Sequence, residues 1–362
     1  MHFRTIGSIA AALTLLLGAA QVQASALADV QPPPQPIMSE DPGEDAPILH
    51  QPPALTAELL ALTEGSIEER IAKLKRKVLK DLIRVEGGSF MMGDFGREWT
   101  PEGLYYTSGL DNKPPYKVTL TGYNLARFKT AYAEYDVFAD ATGRPRAGME
   151  PRPGRSLPPG IYRHPLVPAG MYWQQARDYC QWLGKQTGVP FDLPTEAQWE
   201  YAARSRGQNF LWATDNGHMD KGRNINAYEQ GERMRPLVDT DPHEPSSVTR
   251  AILFPVGIFP PNPLGLYDMN ANGWEWMRDW YDADWYRVSP EYDPKGPPTG
   301  TLRSIRGYED GSYISGLNVK RFARDPLITG PDIRTGVVGP GFNATHTVRC
   351  VANIDRAVAQ PQ

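Results

Sequence analysis

Cysteine is nearly absent from this chain: Cys180 and Cys350 are the only two in 362 residues. A redox-active or metal-binding thiol pair requires an adjacency that this spacing does not show. In an oxidising compartment an isolated pair reads as a disulfide. Closing so long a loop removes unfolded-state entropy worth about 4 to 5 kcal/mol in the chain-entropy account. Long apolar runs are missing as well, except for one at the start, so nothing beyond it is able to span a bilayer. Charge of one sign is not in excess. The formal net charge is −4 with lysines and arginines scattered, which gives no basic field and argues against nucleic acid as a partner. Histidine is sparse, and His50, His164, His218, His243 and His346 include no pair at metal-ligand spacing such as i, i+4 on a helix. No internal repeat is present. In place of a large aliphatic content the chain has 34 glycines, 35 prolines, 17 tyrosines and 9 tryptophans, the make-up of a loop-rich fold pinned by aromatics and turns.

The opening residues read as an address. His2 and Arg4 precede the apolar run from Ile6 to Ala20, and Val22-Gln23-Ala24 supplies the small residues of a cleavage site. Residues 1–24 are therefore expected to be a secretory signal peptide, and the mature chain a soluble, periplasmic protein. Residues 25–55, rich in proline and acidic residues, are expected to be a flexible leader. Within 56–83, Ser66-Ile67-Glu68-Glu69 reads as a capping box, followed by Ile67, Ile71, Leu74, Val78 and Leu82 at spacings of three and four. The spacing predicts an amphipathic helix of about 17 residues, which either packs on the following domain or binds a partner.

From Arg84 the texture changes to short strands and long loops. "IRVEGGSFMMG" and "YKVTLTGYNLARFKT" alternate apolar and polar residues as strands do. Residues 131–142, 173–187 and 195–204 have helical periodicity. Gly143 to Pro168 and Arg206 to Pro260 are long and mostly irregular, a length compact domains tolerate mainly when the loops carry function or are tied down.

Four segments then become recognisable together: "IRVEGGSFMMG" (83–93), "FDLPTEAQWEYAAR" (191–204), "FPVGIFPPNPLGLYDMNANGWEWMRDWY" (254–281) and "VRCVAN" (348–353). In this order they resemble the signature segments of the formylglycine-generating enzyme (sulfatase-modifying factor) family. The resemblance covers 84–355, leaving 356–362 as a tail. It implies an α+β fold, loop-rich and distantly similar to C-type lectins, and it implies that Cys180 and Cys350 pair as a structural disulfide. Copper oxidases of this family bind Cu(I) through two nearby cysteines. The corresponding segment here, "RGYEDGSYISGLNVKRFARDP" (306–326), has none, so formylglycine-generating activity and copper are not expected. Iron-dependent relatives take histidines from a helical domain that has no counterpart here.

"GLYDMNANGWEW" (265–276) alternates oxygen donors in a way that suits Ca²⁺. Glu275 follows Asp268 too soon for an EF-hand. The resemblance instead implies a structural calcium site made by the side chains of Asp268 and Glu275 and the carbonyls of Ala271 and Gly273. A second calcium site is implied at Asn224 and Ile225, with Asn226 as an alternative and Asp239 or Asp241 downstream. Trp274 and Trp276, among the crowded tryptophans, and Arg306, Arg321 and Arg324 fall where the family lines its groove; for the arginines, salt bridges to the acidic residues of "WEWMRDWYDAD" are an equal reading. No catalytic residue can be assigned. The function expected is that of a calcium-stabilised pseudoenzyme: a periplasmic protein-binding factor of accessory or immunity type, including one linked to type VI secretion. The alternatives are a PvdO-type oxidase acting on an exported peptide or siderophore precursor, and a carbohydrate-binding module.

Overall fold

The alternating run at 82–92 forms two strands, β1 (Leu82–Val85) and β2 (Gly88–Met92), and the run at 116–126 forms β3 (Tyr116–Leu120) and β4 (Tyr123–Ala126). These come from a computed structural model, which describes residues 42–149, 160–239, 248–308, 316–331, 338–339 and 343–359. The expected signal peptide lies outside the described residues. β2 and β3 pair antiparallel from Gly88 opposite Leu120 to Met92 opposite Tyr116. β4 pairs with β1 on one side and with a strand from the far end of the chain on the other. With β5 (Phe191–Asp192) and β14 (Val351–Ala352) the first sheet runs β1-β4-β14-β5, so the end of the domain closes beside its beginning. A hairpin of β6 (Leu237–Asp239) and β7 (Val248–Arg250) lies within the expected irregular stretch.

The second sheet carries the site described below. β8 (Gly273–Trp280) and β9 (Arg303–Tyr308) are antiparallel with an irregularity between Trp276 and Trp280. β10 (Phe322–Arg324) adds to β9, and β13 (His346–Thr347) lies parallel to β8, giving the order β10-β9-β8-β13. Two-residue strands β11 (Gly330–Pro331) and β12 (Val338–Gly339) pair separately.

Helices pack around these sheets: α1 (Pro53–Leu60), α2 (Ile67–Lys80), α3 (Tyr132–Thr142), α4 (Trp173–Thr187), α5 (Glu196–Ala203) and α6 (Tyr228–Met234). The Ser66 to Glu69 capping box forms in both directions. α2 lays Leu74 fully into the core, with Ile67, Ile71 and Val78 against it, and Lys77 donates to Asp81 and Glu134 at 2.9 Å each. The helix thus packs on its own domain. β8 separates two apolar clusters: Trp276 belongs to the one containing α3 and α4, and Met277 to the one containing Trp199 of α5. Cys180 on α4 and Cys350 just before β14 form the disulfide, with Cα atoms 5.6 Å apart.

The leader differs from expectation where it is described. Ala46 and Leu55 are buried, Gln51 donates to the Val256 carbonyl at 2.8 Å, and Gln230 and Arg233 of α6 donate to the carbonyls of Pro47 and Ala46. Residues 42–55 are held by side chains from the long 206–260 stretch, which composition could not reveal. Residue Arg356 of the expected tail is likewise tied, its carbonyl accepting from Asn124.

Candidate functional site

The loop that resembles a calcium site is a hydrogen-bond hub. Asp268 and Asn272 sit at φ 60° and 61°, and Gly273 follows at 96°; Asp and Asn tolerate that left-handed region better than other side chains. Each of the alternating polar residues then secures a different remote backbone. Asp268 Oδ2 accepts from Gly257 N at 2.8 Å. Asn272 exchanges hydrogen bonds with both N and O of Phe254. Asn270 accepts from Ala213 N and donates to the Gly316 carbonyl and to Asn318 Oδ1.

Glu275 and the Gly273 carbonyl, both expected to bind calcium, are otherwise engaged, whereas Asp268 Oδ1 is buried with no hydrogen-bond partner among the described residues. Lys129, fully buried, donates its ammonium to the Gly273 carbonyl and stands 3.6 Å from Glu275 Oε1. Arg349, also fully buried, donates Nε and Nη2 to the two oxygens of Glu275 at 3.0 and 3.1 Å, and Trp199 Nε1 donates to Oε2. The remaining donors of Arg349 go to the carbonyls of Ala126, Arg127 and Tyr267, so all five are used. Burial pulls the Lys129 pKa down to about 8 against the raising effect of Glu275, which leaves it an ammonium at neutral pH. Two buried cations already face Glu275 and Asp268. A divalent ion added there would meet like charge and a carbonyl already taken, so the residues present do not fit calcium. Ala271 is packed in an apolar cluster with Phe95, Trp212 and Val319.

Of the second expected calcium site, the structure describes Asn224 and Ile225 but not the downstream aspartate side chains. Asn224 Oδ1 accepts from Asp220 N at 2.8 Å, and its amide donates to Asp215, Asn216 and the His218 carbonyl. The Ile225 carbonyl accepts from Gly222 N. This is a self-contained turn. Asp241 and the side chain of Asp239 lie outside the described residues, among which no group of three or more His, Cys, Asp or Glu residues is placed to hold a metal ion.

Of the expected groove residues, three are interior. Trp276 is fully buried, with Nε1 donating to the Met171 carbonyl. Arg306 and Arg321 are buried in an ion cluster with two carboxylates of α5. Arg306 donates to Glu196 Oε1 at 3.1 Å and Glu200 Oε2 at 2.6 Å. Arg321 holds Glu196 in a two-point fork at 2.9 Å on each arm, and Arg204 pairs with Glu200 at 3.0 Å. Burial would raise the Glu196 pKa, but Arg321 and Arg306 outweigh it and hold the carboxyl below its ordinary value. These arginines form salt bridges with carboxylates of α5, not with the acidic residues of "WEWMRDWYDAD" as expected.

What remains accessible on the second sheet is aromatic. Trp274 of β8 meets Tyr308 of β9 and Phe322 of β10 edge to face, at centroid distances of 4.8 and 4.5 Å, and the three rings are half-buried. Lys320 lies 5.0 Å over Phe322, and Arg324 is exposed on the same short strand. Behind them His346 pairs with Trp274 across the parallel ladder and sits 5.4 Å from the Trp276 ring. Burial, then the charge of Arg324, push the His346 imidazole down to about 3, so it is neutral and a poor base at physiological pH. Tyr308, Phe322 and His346 escaped sequence reasoning as a group, because only strand pairing brings them beside Trp274. The two glutamates spaced i, i+4 in "TEAQWEYAAR" could have been found: on a short helix buried all round, both need cationic partners. Elsewhere a polar cleft of about 290 Å³ runs past Thr195, Gln198, Arg278, Lys295 and Asn353. Its lining holds no histidine or thiol. The segment 306–326, where copper cysteines would fall, is described except for 309–315. Both cysteines of the chain are consumed by the disulfide, so a Cu(I) dithiolate does not fit this protein.

Comparison with known proteins follows the same line. Residues 68–352 match the family described as sulfatase-modifying factor enzyme 1-like domain. The chain is 31% identical over 294 residues to the formylglycine-generating enzyme of Streptomyces coelicolor, covering 71% of this chain and 87% of that protein. It is 29% identical over 321 residues to that of Thermomonospora curvata, covering 77% and 95%. Among solved structures, PvdO from Pseudomonas aeruginosa superposes with a TM-score of 0.52 at 24% identity, covering 75% of this chain and 93% of that one. The family match begins inside α2, upstream of the expected boundary at residue 84.

Proposed function

Because this chain belongs to the family of sulfatase-modifying factor enzyme 1-like domains, yet has no thiol left to bind copper, we propose that it uses the family fold to hold a polypeptide rather than to oxidise one. The observation that carries this is the disulfide: the only two cysteines are joined to each other far from the segment where the copper pair would lie. The groove face supports a binding role. Trp274, Tyr308 and Phe322 offer an apolar, edge-to-face cradle, and Arg324 adds a positive charge beside it. β10 is the outer strand of its sheet among the described residues, and such a strand can take an extended segment by backbone pairing. The occupant that fits is an extended segment with an apolar or aromatic side chain and a neighbouring acidic group. With the secretory leader read from the sequence, the partner is a periplasmic protein and the role that of an accessory or immunity factor, a secretion-system component among the candidates.

The test is affinity capture from periplasm with the wild-type protein beside Trp274→Ala and Phe322→Ala, run with metal analysis of the purified protein. A partner retained by wild type and lost from both variants supports the reading. Stoichiometric copper or iron, with oxygen consumption on a cysteine-containing peptide, overturns it in favour of a PvdO-type oxidase.

A further inference from the structure

We infer that the Lys129 ammonium is the resident cation of the 268–275 loop, standing in for the divalent ion that the family resemblance implies there and making the fold independent of calcium. The inference does not rest on the binding role proposed above. Lys129 precedes α3, and Arg349 immediately precedes Cys350; neither belongs to the loop that they neutralise. The Lys129 nitrogen reaches the Gly273 carbonyl across 144 positions of sequence and lies within ion-pair distance of Glu275. These are the two kinds of oxygen, a main-chain carbonyl and a carboxylate, that a calcium ion would have shared. Asp268, the other carboxylate, feels the Lys129 charge, and its Oδ1 accepts no hydrogen bond among the described residues. The loop therefore keeps the oxygen ligands of a cation site while a tethered ammonium occupies its centre.

A tethered cation has two physical consequences. It costs no ion binding, so loop order does not depend on the calcium concentration outside the cell, whereas a bound ion stabilises only in proportion to the logarithm of its free concentration. It also carries one charge where calcium carries two, and the guanidinium of Arg349 on Glu275 supplies the second.

The experiment is thermal unfolding of the full disulfide-bonded protein in EDTA and in excess calcium, with metal content measured on the same preparation. Coincident melting curves and sub-stoichiometric calcium are expected. Stoichiometric calcium, together with a fall in Tm on adding EDTA, would overturn the inference. Lys129→Met keeps the length of the side chain and removes its charge. It is expected to lower the Tm by roughly 5 to 10 °C, because it leaves Glu275 and the Gly273 carbonyl short of a buried partner. An unchanged Tm would also overturn the inference. Should this variant fail to fold, the wild-type comparison decides alone.

Discussion

Replacing Arg306 by methionine tests whether the arginines expected to line a groove are interior struts in this chain. Arg306 is fully buried and lies 5.1 Å over the Trp199 ring. Its removal takes a donor from Glu196 Oε1, the 2.6 Å donor from Glu200 Oε2, and the donor to the Asn318 carbonyl. Glu196 keeps its fork from Arg321 and a bond from Ser304. Glu200 keeps Arg204 and Gly93 N, but both reach Oε1, so Oε2 is left bare in a dry interior. Breaking a buried pair from one side costs about 3 to 5 kcal/mol. The lower end applies here, because three guanidiniums face two carboxylates and the cluster remains neutralised after the loss. Urea unfolding followed by tryptophan fluorescence should show a drop of about 3 kcal/mol at constant m. Partner capture by the fraction that stays folded should be unchanged. A loss below about 1 kcal/mol, set against the range for a broken buried pair, would refute the strut reasoning, and abolished partner binding at full stability would return Arg306 to the groove.

Two further outcomes follow from the same structure. Thiol titration of the denatured, unreduced protein should find no free thiol, and Cys180→Ala with Cys350→Ala should cost about 5 kcal/mol by the loop-closure account; two titratable thiols would contradict the disulfide. The His346 pKa is depressed in the folded state, to about 3, so its contribution to stability is complete above the unfolded value of about 6.5 and is lost as pH falls from there towards 3. Its ceiling is about 4 to 5 kcal/mol at 1.36 kcal/mol per unit. The urea midpoint of wild type should fall relative to that of His346→Leu between pH 7, 5 and 4, and parallel curves would count against a buried neutral imidazole.

Local signals were enough to place β1 to β4 and α2 to α5, but not β5 to β14 or α6. Capping at Ser66 depends on residues three apart, strand alternation at 83–92 and 116–126 on residues two apart, and α4 on one amphipathic face; each is satisfied within its own segment, so each is legible without the fold. The shortage of thiols was equally legible, since two cysteines cannot form both a disulfide and a separate thiolate pair. The loop at 268–275 was not. Its composition specifies oxygen ligands for some cation but not which cation, because the ammonium and guanidinium that fill the role come from residues 129 and 349. The same holds for the groove: Arg306, Arg321 and Trp276 have the residue types of a binding face, but the placement of α5 draws the two arginines inward and the cluster of α3 and α4 takes in Trp276, leaving Trp274, Tyr308 and Phe322 half-buried. Periodicity is a short-range property set by backbone geometry. The choice of partner for a buried charge is made by whichever distant segment the chain packs against it, and that choice belongs to the tertiary structure.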